Sequence, residues 1–503
     1  MRSHPHLFEI SAWPWLERLS RAEHRDVTLA TVPDRSWDRV AADGFDAVFL
    51  MGVWRRSPTG RAIARSERSL VAAYDRVLPE WTEADIPGSP YSVQAYEPDE
   101  RMGGWDGLAT ARRELGRRHI SLILDFVTNH TGFDHPWVTE YPERYVTGSD
   151  EDRRIAPADF RSFEVRGRSI HIACARDPYF PPWTDVAQLN YFNPDTRAAV
   201  RAALREIAAH CDGVRCDMAM LVLNDVFERT WRRLLRDNWP RLSSEFWREA
   251  TRAVPELLYL AEVYWELEGR LLDQGFTFAC DKRLLDGLHA SSRASNVRDL
   301  LAAGSPPQNR LARFLENHDE PRSATALAGY LPAAASLLLS LPGMRFVFDG
   351  QLEGRRINVP VQMGRWPEEA PDQAVRRLYD RVLAFARTEV LHDGEWSLLT
   401  VSSAGDRSFH DIIAYRWRSS RALAVIVVNL GAGAAQAHLA VGGDLFPGAA
   451  FDFDDGLTGA SYRWTREPLL ERGLYVRLEA GHAHLFSVRP VDEAGDRGAR
   501  DGR

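Results

Sequence analysis

Cysteine is scarce in this chain, with four among 503 residues, at Cys174, Cys211, Cys216 and Cys280. No pair has the CxxC spacing, and no cysteine the CxxH spacing, that a zinc or redox site would need. The pattern therefore favours buried free thiols over a metal or redox site. Because free thiols persist in reducing surroundings, the cysteines indicate a reducing compartment.

Long apolar runs are missing as well. The N-terminal stretch MRSHPHLFEISAWPWLERLSR has no continuous apolar segment of the kind found in secretory signals, and no later stretch holds about 18 consecutive apolar residues. The most apolar stretch, 327–347, is interrupted by glycine, proline, serine and arginine, which predicts a buried helix followed by a strand. We therefore expect a cytoplasmic protein that is neither exported nor membrane-spanning.

An excess of positive charge is absent too. The chain has 63 Lys and Arg against 71 Asp and Glu, a net charge of -8, with both signs interspersed. Because phosphate backbones would be repelled overall, this balance argues against a nucleic-acid partner. With 45% hydrophobic residues, the composition is that of a folded globular protein. Its length predicts a large domain with one or two smaller attachments.

Up to about residue 390, short β-branched or aromatic runs alternate with segments of helical period. This alternation is typical of βα units repeated around a parallel sheet. The runs that qualify as strands are HLFEISA (6–12), FDAVFLM (45–51), ISLILDFV (120–127), GVRCD (213–217), LYLAEV (258–263), FTFAC (276–280), RLARFLE (310–316) and MRFVFD (344–349). Eight strands with intervening helices predict the α/β class and a closed (β/α)8 TIM barrel.

Two departures from the βα pattern predict further domains. The connection after the third strand is long and rich in proline, aspartate, glycine and aromatic residues, which indicates an inserted subdomain. After a helix at about 371–389, alternating strands and turns predict a C-terminal antiparallel β-sandwich. The predicted divisions are a barrel at 1–130 and 194–390, the inserted subdomain at 131–193, the sandwich at 391–490 and a disordered tail at 491–503.

Polar residues that close apolar strands are the first candidates for a site, because the working side chains of a TIM barrel lie at the carboxyl ends of its strands. The fourth strand ends in Arg215 and Asp217, which strand alternation places on one face. A neighbouring guanidinium favours the ionised form of Asp217, and an ionised carboxylate is what attack on a sugar carbon requires. For an isolated pair of this kind, a structural ion pair inside the barrel is the plainer interpretation.

Three further strand ends carry related chemistry. Glu262 follows the apolar run LYLA, where desolvation raises a carboxyl pKa and retains a proton for a leaving oxygen. His318 and Asp319 close the seventh strand, and Asp125 and His130 lie at the end of the third; such groups bind sugar hydroxyls. Each residue alone is more typical of a structural role, but their order at successive strand ends indicates a site.

In this order the motifs resemble those of the α-amylase superfamily of glycoside hydrolases. The family regions D-x-x-x-N-H, G-x-R-x-D and N-H-D match Asp125, Asn129 and His130, then Gly213, Arg215 and Asp217, then Asn317, His318 and Asp319. Glu262 supplies the remaining region, and Tyr91 in GSPYSVQAY (88–96) matches the family's aromatic platform under the reacting sugar. Since the insertion and the C-terminal β-domain also match, the resemblance covers nearly the whole chain.

The resemblance implies a retaining enzyme of α-glucosidase or α-amylase type that acts on α-glucosidic bonds of malto-oligosaccharides, glycogen fragments or related α-glucosides. It implies Asp217 as nucleophile, Glu262 as general acid/base and Asp319 as the third carboxylate. The substrate-binding residues that it implies are Tyr91, Asp125, His130, Arg215 and His318. An α-glucan transglycosylase or isomerase with the same carboxylates stays open, as do a catalytically inactive binding homologue and the oligomeric state.

The chain departs from the family pattern at residues 218–221, where many members have a Lys-His pair and this chain has Met-Ala-Met-Leu. In amylases that region contributes to a calcium site and to the acceptor side. Asn129 matches another calcium position, and the insertion offers Asp134, Asp177 and Asp185. We therefore expect no required cofactor and no metal ligand among the site residues, with calcium as an open alternative.

Two segments have no assigned role in the family pattern. The helix-like segment 65–81 is best interpreted as packing, and narrowing of the cleft is the alternative. The aromatic loop DPYFPPWTD (177–185) either lines sugar-binding positions or forms a small core for the insertion.

Overall fold

The computed structural model describes residues 2–235, 239 and 241–491. Its last strand ends at Val491, so the first residue of the predicted tail belongs to a sheet, and the rest of that tail, 492–503, lies outside the described residues. Within the described ranges, no helix is both long enough and apolar enough to cross a membrane.

Eight parallel strands close into a barrel, which confirms the predicted fold class. In chain order they are His6–Ser11, Ala47–Met51, Ser121–Val127, Gly213–Asp217, Leu258–Ala261, Phe278–Cys280, Leu311–Arg313 and Met344–Phe348. Successive strands are neighbours, and the eighth pairs with the first. All eight predicted runs are present, and most are shorter than predicted because their terminal residues belong to the connecting loops.

Amphipathic helices alternate with the barrel strands. In Gly104–Arg117, the residues Leu108, Ala111 and Leu115 recur at helical spacing and are fully buried. The apolar helix Leu331–Ser340 is buried along its whole length, as predicted. The α-helices of the described residues are Ala12–Glu23, Asp34–Asp43, Pro58–Ser66, Arg68–Val77, Gly104–Arg117, Trp137–Glu140, Asp150–Ile155, Pro194–Ala208, Asn224–Leu235, Phe246–Ala253, Glu268–Leu272, Lys282–His289, Arg293–Ala302, Ser323–Ala326, Leu331–Ser340, Gln373–Ala386, Val390–Asp393 and Arg466–Glu471.

An antiparallel sheet of five strands forms the insertion after the third barrel strand. The strands are His130–Gly132, Thr147–Gly148, Phe160–Val165, Arg168–Ala175 and Trp183–Gln188. A smaller antiparallel pair, Trp54–Arg56 with Val93–Pro98, follows the second barrel strand. Because the first insertion strand begins three residues after the third barrel strand ends, it keeps His130 at the carboxyl end of the barrel.

Two antiparallel sheets form the C-terminal domain. The larger contains Glu395–Leu398, Ile412–Arg418, Leu423–Asn429, Ala450–Asp455, Ser461–Thr465 and Ala483–Val491, and the smaller contains Val401–Ser403, Ala435–Leu439 and Leu474–Leu478. Val425 and Ala437 belong to the buried core that the two sheets share. Trp417 attaches the larger sheet to the barrel, because its Nε1 donates to the Ser340 carbonyl at 2.7 Å.

Segment 65–81 contains the helix Arg68–Val77, which packs against the loop after the eighth barrel strand. Tyr74 is fully buried, and its hydroxyl donates to a carbonyl of the preceding helix at 3.1 Å. The apolar cluster around Tyr74 includes Phe348 and Trp366. The face of the helix that carries Tyr74 therefore has the packing role that was predicted.

Candidate active site

The predicted site residues meet at the carboxyl ends of the barrel strands. Asp217 closes the fourth strand, Glu262 directly follows the fifth, and Asp125 lies near the end of the third. The prediction that His318 and Asp319 end the seventh strand was wrong, because that strand ends at Arg313 and both residues lie in the loop beyond it. The barrel therefore supplies the positions of the first three residues, and a loop positions the other two.

Arg215 joins the acidic residues of the site. Its side chain is buried, with Nη1 at 2.8 Å from Asp217 Oδ1 and Nη2 at 2.7 Å from Glu262 Oε2. A third carboxyl oxygen, Asp125 Oδ1, lies 3.9 Å from Nη1. Burial alone would lower the pKa of Arg215, but the surrounding carboxylates raise it well above its usual value. One permanent cation thus holds two carboxyl groups side by side.

Burial has the largest effect on the titration of Asp217 and Glu262. It raises the pKa of both carboxyls above their usual values, and the Arg215 cation opposes the rise at each. The charge of Asp217 raises the pKa of Glu262 further. At Asp217 the sequence predicted only the effect of the arginine, because a sequence shows the neighbouring cation but not the depth of burial. Asp217 accepts a hydrogen bond from Arg215, and Glu262 lies 2.7 Å from the same cation, so the two carboxyls compete for one positive charge.

Two further groups fix the orientation of the Glu262 carboxyl. The Met218 N–H donates to Oε2 at 2.8 Å, and the Tyr264 hydroxyl donates to Oε1 at 2.8 Å. Met218 has a left-handed backbone, with φ of 44°, and residues 219–221 after it are buried in the core. The sequence analysis missed Tyr264. It could have been noticed as an aromatic residue two positions after Glu262.

His318 connects Asp319 with a carboxyl group that the sequence analysis missed. Its Nδ1 is hydrogen-bonded to Oε1 of Glu9, which is fully buried in the first barrel strand. Its Nε2 lies 3.1 Å from Asp319 Oδ2 and 2.6 Å from the Tyr91 hydroxyl. Burial alone would lower the pKa of His318, but Asp319 and Glu9 raise it well above its usual value. His318 is therefore an imidazolium. In the sequence, Glu9 could have been noticed as an acidic residue inside the apolar run LFEI.

Asp319 is the acidic residue of the site that opens to solvent. Its side chain is 47% exposed, whereas those of Asp217 and Glu262 are 7% and 10% exposed. Burial of its surroundings raises the pKa of Asp319, but the His318 cation outweighs this and lowers it. Asp319 is thus an anion at the open side of the cleft, where it can accept hydrogen bonds from hydroxyl groups.

Tyr91 and His130 lie beside this network. The Arg215 guanidinium lies 5.2 Å from the centre of the Tyr91 ring. The ring of His130 packs edge-on against Trp183 at 5.6 Å, and burial lowers the pKa of His130 to about 4. A neutral imidazole both donates and accepts hydrogen bonds, which suits a hydroxyl partner.

Asp125 supports the site from below. Its Oδ2 accepts the Gly52 N–H at 2.7 Å, and burial raises the pKa of Asp125 to about 7. With 1% of its surface exposed, Asp125 faces Arg215 and does not open onto the cleft. In this arrangement its carboxyl steadies the guanidinium, and its implied contact with substrate stays a prediction.

Three of the residues considered for calcium, Asn129, Asp134 and Asp177, already have hydrogen-bond partners. Gln188 Nε2 donates to Asn129 Oδ1 and to the Asn129 carbonyl, each at 3.0 Å. Asp134 and Asp177 accept main-chain N–H groups. Across the described part of the chain, no three His, Cys, Asp or Glu side chains form a group suited to a metal ion. The donor set does not fit calcium, because an amide nitrogen occupies the point where the Asn129 oxygens converge.

Three curated proteins have related sequences, whereas no protein-family model matches the chain. The α-amylase MalA of Haloarcula japonica is 27% identical over 363 residues, which are 68% of this chain and 48% of that protein. Alpha-amylase 3 of Dictyoglomus thermophilum is 23% identical over 54% of this chain and 55% of that protein. An α-glucosidase of Schizosaccharomyces pombe is 25% identical over 55% of this chain and 57% of that protein. The chain thus spans about half the length of the curated relatives it matches.

Solved structures share the fold over almost the entire chain. A noncanonic maltogenic α-amylase, AmyB, from Thermotoga neapolitana has a TM-score of 0.68 at 17% identity, covering 96% of this chain and 98% of that one. The α-amylase of Geobacillus thermoleovorans, in complex with acarbose, has a TM-score of 0.65 at 17% identity, covering 97% and 99%. At this level of identity the likeness concerns the fold alone.

The motifs, the sequence relatives and the fold point in the same direction. The four motif regions occur in order along the chain, and their side chains converge around Arg215 at one end of a closed parallel barrel. The curated relatives with significant sequence similarity are α-amylases and an α-glucosidase, and the solved structures with the same fold include α-amylases. The chain is therefore similar in sequence to curated α-amylases and an α-glucosidase, and it has the fold of solved α-amylases.

Proposed function

We propose that this protein is a retaining glycoside hydrolase that cleaves α-glucosidic bonds of malto-oligosaccharides, glycogen fragments or related α-glucosides. The observation that carries the proposal is the bridge from Arg215 to both Asp217 and Glu262, with the exposed Asp319 at the open side. A retaining mechanism needs two neighbouring carboxyl groups, one ionised and one protonated. Here burial raises the pKa of both carboxyls, and the charge of Asp217 raises that of Glu262 further, which favours one proton on the pair.

In the first half of the reaction, a carboxylate oxygen of Asp217 forms a bond with the anomeric carbon while the bond to the glycosidic oxygen breaks. Glu262 gives its proton to the departing oxygen, so the leaving group departs as a neutral alcohol. The product is a β-glycosyl ester of Asp217. The Met218 N–H and the Tyr264 hydroxyl hold the Glu262 carboxyl as its charge develops.

In the second half, Glu262 takes a proton from water as the water oxygen bonds to the anomeric carbon. The ester bond to Asp217 breaks, which restores its carboxylate and gives a product of retained configuration. Asp319 and the His318 cation are suited to binding hydroxyls of the distorted sugar, one as acceptor and the other as donor. Tyr91 lies beside both Arg215 and His318 and is suited to contact the apolar ring face.

Hydrolysis is favoured over glycosyl transfer or isomerisation. The curated relatives bear the names of hydrolases, α-amylase and α-glucosidase, and the acarbose complex of a structural neighbour supports a glucan-like ligand. The alternative of a catalytically inactive binding homologue has no support, because the three carboxyl groups Asp217, Glu262 and Asp319 all lie in the network described above.

We also propose that the reaction requires no cofactor. Asn129 and Gln188 are hydrogen-bonded to each other. Each proposed step of the reaction uses only groups of the protein and water. The expected result is that dialysis against EDTA leaves kcat and the thermal midpoint unchanged. If added calcium raised both after dialysis, this part of the proposal would be wrong.

The function is tested by incubating the purified protein with maltoheptaose, glycogen, sucrose and trehalose, with and without phosphate, and following anomeric protons by NMR. Retention predicts that the first product of an α-glucan appears as the α-anomer, before mutarotation. Asp217→Asn should reduce kcat by at least about a thousandfold, because the amide cannot form the ester intermediate. Asp225→Asn, an exposed position in the next helix, is the matched control and should retain activity.

Two results would contradict the proposed mechanism. A first product in the β-configuration would show inversion, and parental activity in Asp217→Asn would remove the nucleophile from its assigned role. The size of the maltoheptaose products then separates release of glucose, release of maltose and chain transfer.

A cytoplasmic location is part of the same proposal. All four cysteines are buried and free. Burial raises the pKa of Cys174 to about 11 and that of Cys211 to about 12, so these thiols are held in an unreactive form. Cell fractionation followed by immunodetection tests the location, and recovery of the protein outside the cell would contradict it.

A further inference from the structure

Lys282 is the only lysine among the 63 Lys and Arg residues of the chain, and all the others are arginines. It lies two residues after the sixth barrel strand, Phe278–Cys280. In the barrel, that strand has the fifth strand on one side and the seventh on the other. The fifth strand leads directly into Glu262, and the seventh leads into the loop that carries Asp319. The single lysine therefore begins between the elements that carry these two carboxyl groups.

The base of the Lys282 side chain is fixed to the barrel. Lys282 is the first residue of the helix Lys282–His289, and Asp281 caps that helix by accepting the Leu284 N–H at Oδ1, at 3.1 Å. The second oxygen of Asp281 accepts a hydrogen bond from Arg313 Nε in the seventh strand, also at 3.1 Å. Both Asp281 and Arg313 are buried. The start of the helix is thus tied to the neighbouring strand.

The ammonium group of Lys282 contacts two carboxylates of different exposure. One belongs to Asp286, four residues later in the same helix, whose side chain is 61% exposed. The other belongs to Glu320, whose Oε1 lies 3.5 Å from Nζ and whose side chain is 15% exposed. The contact with Asp286 stays within one helix. The contact with Glu320 joins that helix to the loop after the seventh strand.

Glu320 and Asp319 are consecutive residues of one turn. The side-chain oxygen of Asn317 accepts the main-chain N–H groups of both residues, each at 2.9 Å. On the other side of Asp319, His318 is hydrogen-bonded to Glu9 of the first strand. The turn that presents Asp319 is therefore anchored at both ends, through His318 to the barrel and through Glu320 to Lys282.

The charges of this turn need the lysine as well. Burial has the largest effect on Glu320 and raises its pKa, the Lys282 cation opposes that rise, and the charge of Asp319 adds to it. A Glu320 carboxylate without its cation would be a partly buried anion close to Asp319, and neighbouring like charges repel. Pairing with Lys282 keeps Glu320 in place and reduces this repulsion.

We infer that Lys282 is a positioning residue for Asp319, because its ammonium group holds the Glu320 carboxylate and so fixes the turn that presents Asp319 to the sugar. The inference rests on the proposed function, in which Asp319 binds hydroxyls of the distorted sugar, and deepens it. Lysine suits this position, since a compact charge with three N–H donors serves two carboxylates that approach from different directions.

The test is a double-variant cycle that measures kcat and KM for maltoheptaose. Lys282→Gln leaves Glu320 without its cation, so kcat should fall about tenfold while KM changes by less than about twofold, because Asp319 acts on the distorted sugar. Glu320→Gln leaves no unpaired anion and should lower kcat only about threefold. The double variant should match Glu320→Gln and exceed Lys282→Gln. If the two losses multiplied in the double variant, the residues would act independently and the inference would be overturned.

Two further variants separate positioning from a general structural role. Lys282→Arg keeps the positive charge and should retain at least about half of the parental kcat. Asp286→Asn removes the exposed partner of the same lysine and should leave kcat within about twofold. Thermal midpoints should stay within about 2 °C of the parent throughout. A Lys282→Arg variant as poor as Lys282→Gln, or losses of kcat that follow lower thermal midpoints, would contradict the positioning role.

A single lysine also allows the ion pair to be observed without turnover. In protein labelled with carbon-13 at lysine Cε, Lys282 gives the one lysine resonance. Glu320→Gln should displace this resonance, whereas the distant exposed variant Asp225→Asn should not. An undisplaced resonance in Glu320→Gln would overturn the inference even in an active enzyme. Absence of turnover by the parent on maltoheptaose and glycogen, together with a displaced resonance, would instead contradict the proposed hydrolase.

Discussion

Several acidic groups and two cations share the floor of the cleft, and their positions decide which of them carries a proton. Arg215 lies between Asp217 and Glu262, while His318 lies between Asp319 and Glu9. Each cation therefore serves one pair of carboxyls. The arrangement keeps several charges in a small volume, because each anion is within hydrogen-bonding distance of a cation.

The hydroxyl of Tyr264 is expected to set the alkaline limit of activity. It donates to the Glu262 carboxylate and so favours the ionised form. Tyr264→Phe removes that donor, so the pKa of Glu262 rises and the protonated acid persists to higher pH. The alkaline limb of the kcat/KM profile should move to higher pH, and the optimum value should fall about tenfold. A limb that moved to lower pH would contradict this role.

Glu9 is expected to shift the same profile in the opposite direction. Its carboxylate, together with Asp319, raises the pKa of His318, so that the imidazolium persists at neutral and alkaline pH. Glu9→Gln keeps a hydrogen-bond acceptor but removes the charge, so the pKa of His318 falls. The kcat/KM value should therefore begin to decline at lower pH than in the parent, with little change below that range. An unaltered pH profile with a uniformly lower rate would indicate a structural role only.

At the scale of elements, the turn after the fourth strand links the two buried carboxyls. Met218 has φ of 44°, a conformation that costs about 1–2 kcal/mol in residues with a side chain, and its N–H donates to Glu262. The turn thus places a main-chain donor on Glu262 one residue after Asp217. Strain at this point is tolerated because the hydrogen bond and the buried residues 219–221 hold the turn.

Substitutions at Met218 should separate backbone conformation from side-chain identity. Met218→Val introduces a β-branched residue at positive φ and should lower the free energy of unfolding by about 1–2 kcal/mol, with a loss of kcat as the N–H moves away from Glu262. Met218→Gly is the control, because it relaxes the strain and keeps the N–H; its stability should stay within about 1 kcal/mol of the parent. Urea denaturation and kcat measure both effects. Equal behaviour of the two variants would contradict the argument.

At the scale of the whole molecule, the barrel and the C-terminal domain share one buried core. Tyr415 and Trp417 on the larger C-terminal sheet lie in the same apolar cluster as Leu337 and Leu338 of a barrel helix. Trp417 and Tyr415 are also hydrogen-bonded to Ser340 of that helix. We therefore expect the two parts to unfold together, because neither can expose this surface without cost.

Trp417 is the residue that tests this coupling. Trp417→Ala should reduce the free energy of unfolding by about 3–5 kcal/mol, through loss of buried area and creation of a cavity. Trp417→Phe retains much of the packing and should lose less. Denaturation followed by enzyme activity and by near-ultraviolet circular dichroism should give coincident midpoints that shift together. If the activity midpoint stayed at its parental value in Trp417→Ala, the domains would be independent.

Much of the architecture was determined by the sequence alone, because it depends on local periodicity. Apolar runs of strand length, separated by segments of helical period, identified all eight barrel strands, the insertion and the C-terminal sheets. Asp217 and Glu262 were predicted as site residues because they directly end such runs. Strand alternation also placed Arg215 on the same face as Asp217, and the two are hydrogen-bonded. These features require information from only a few adjacent residues.

Only the tertiary structure decided the features that depend on distant neighbours. Glu9 and His318 are 309 residues apart in the chain, so no local pattern could pair them. Burial, which raises the pKa of Asp217 against the effect of Arg215, depends on how all surrounding elements pack. The exposed face of the helix Arg68–Val77 meets Asp319 only through the closed barrel. Periodicity records which side of an element is buried, whereas the fold decides what the other side faces.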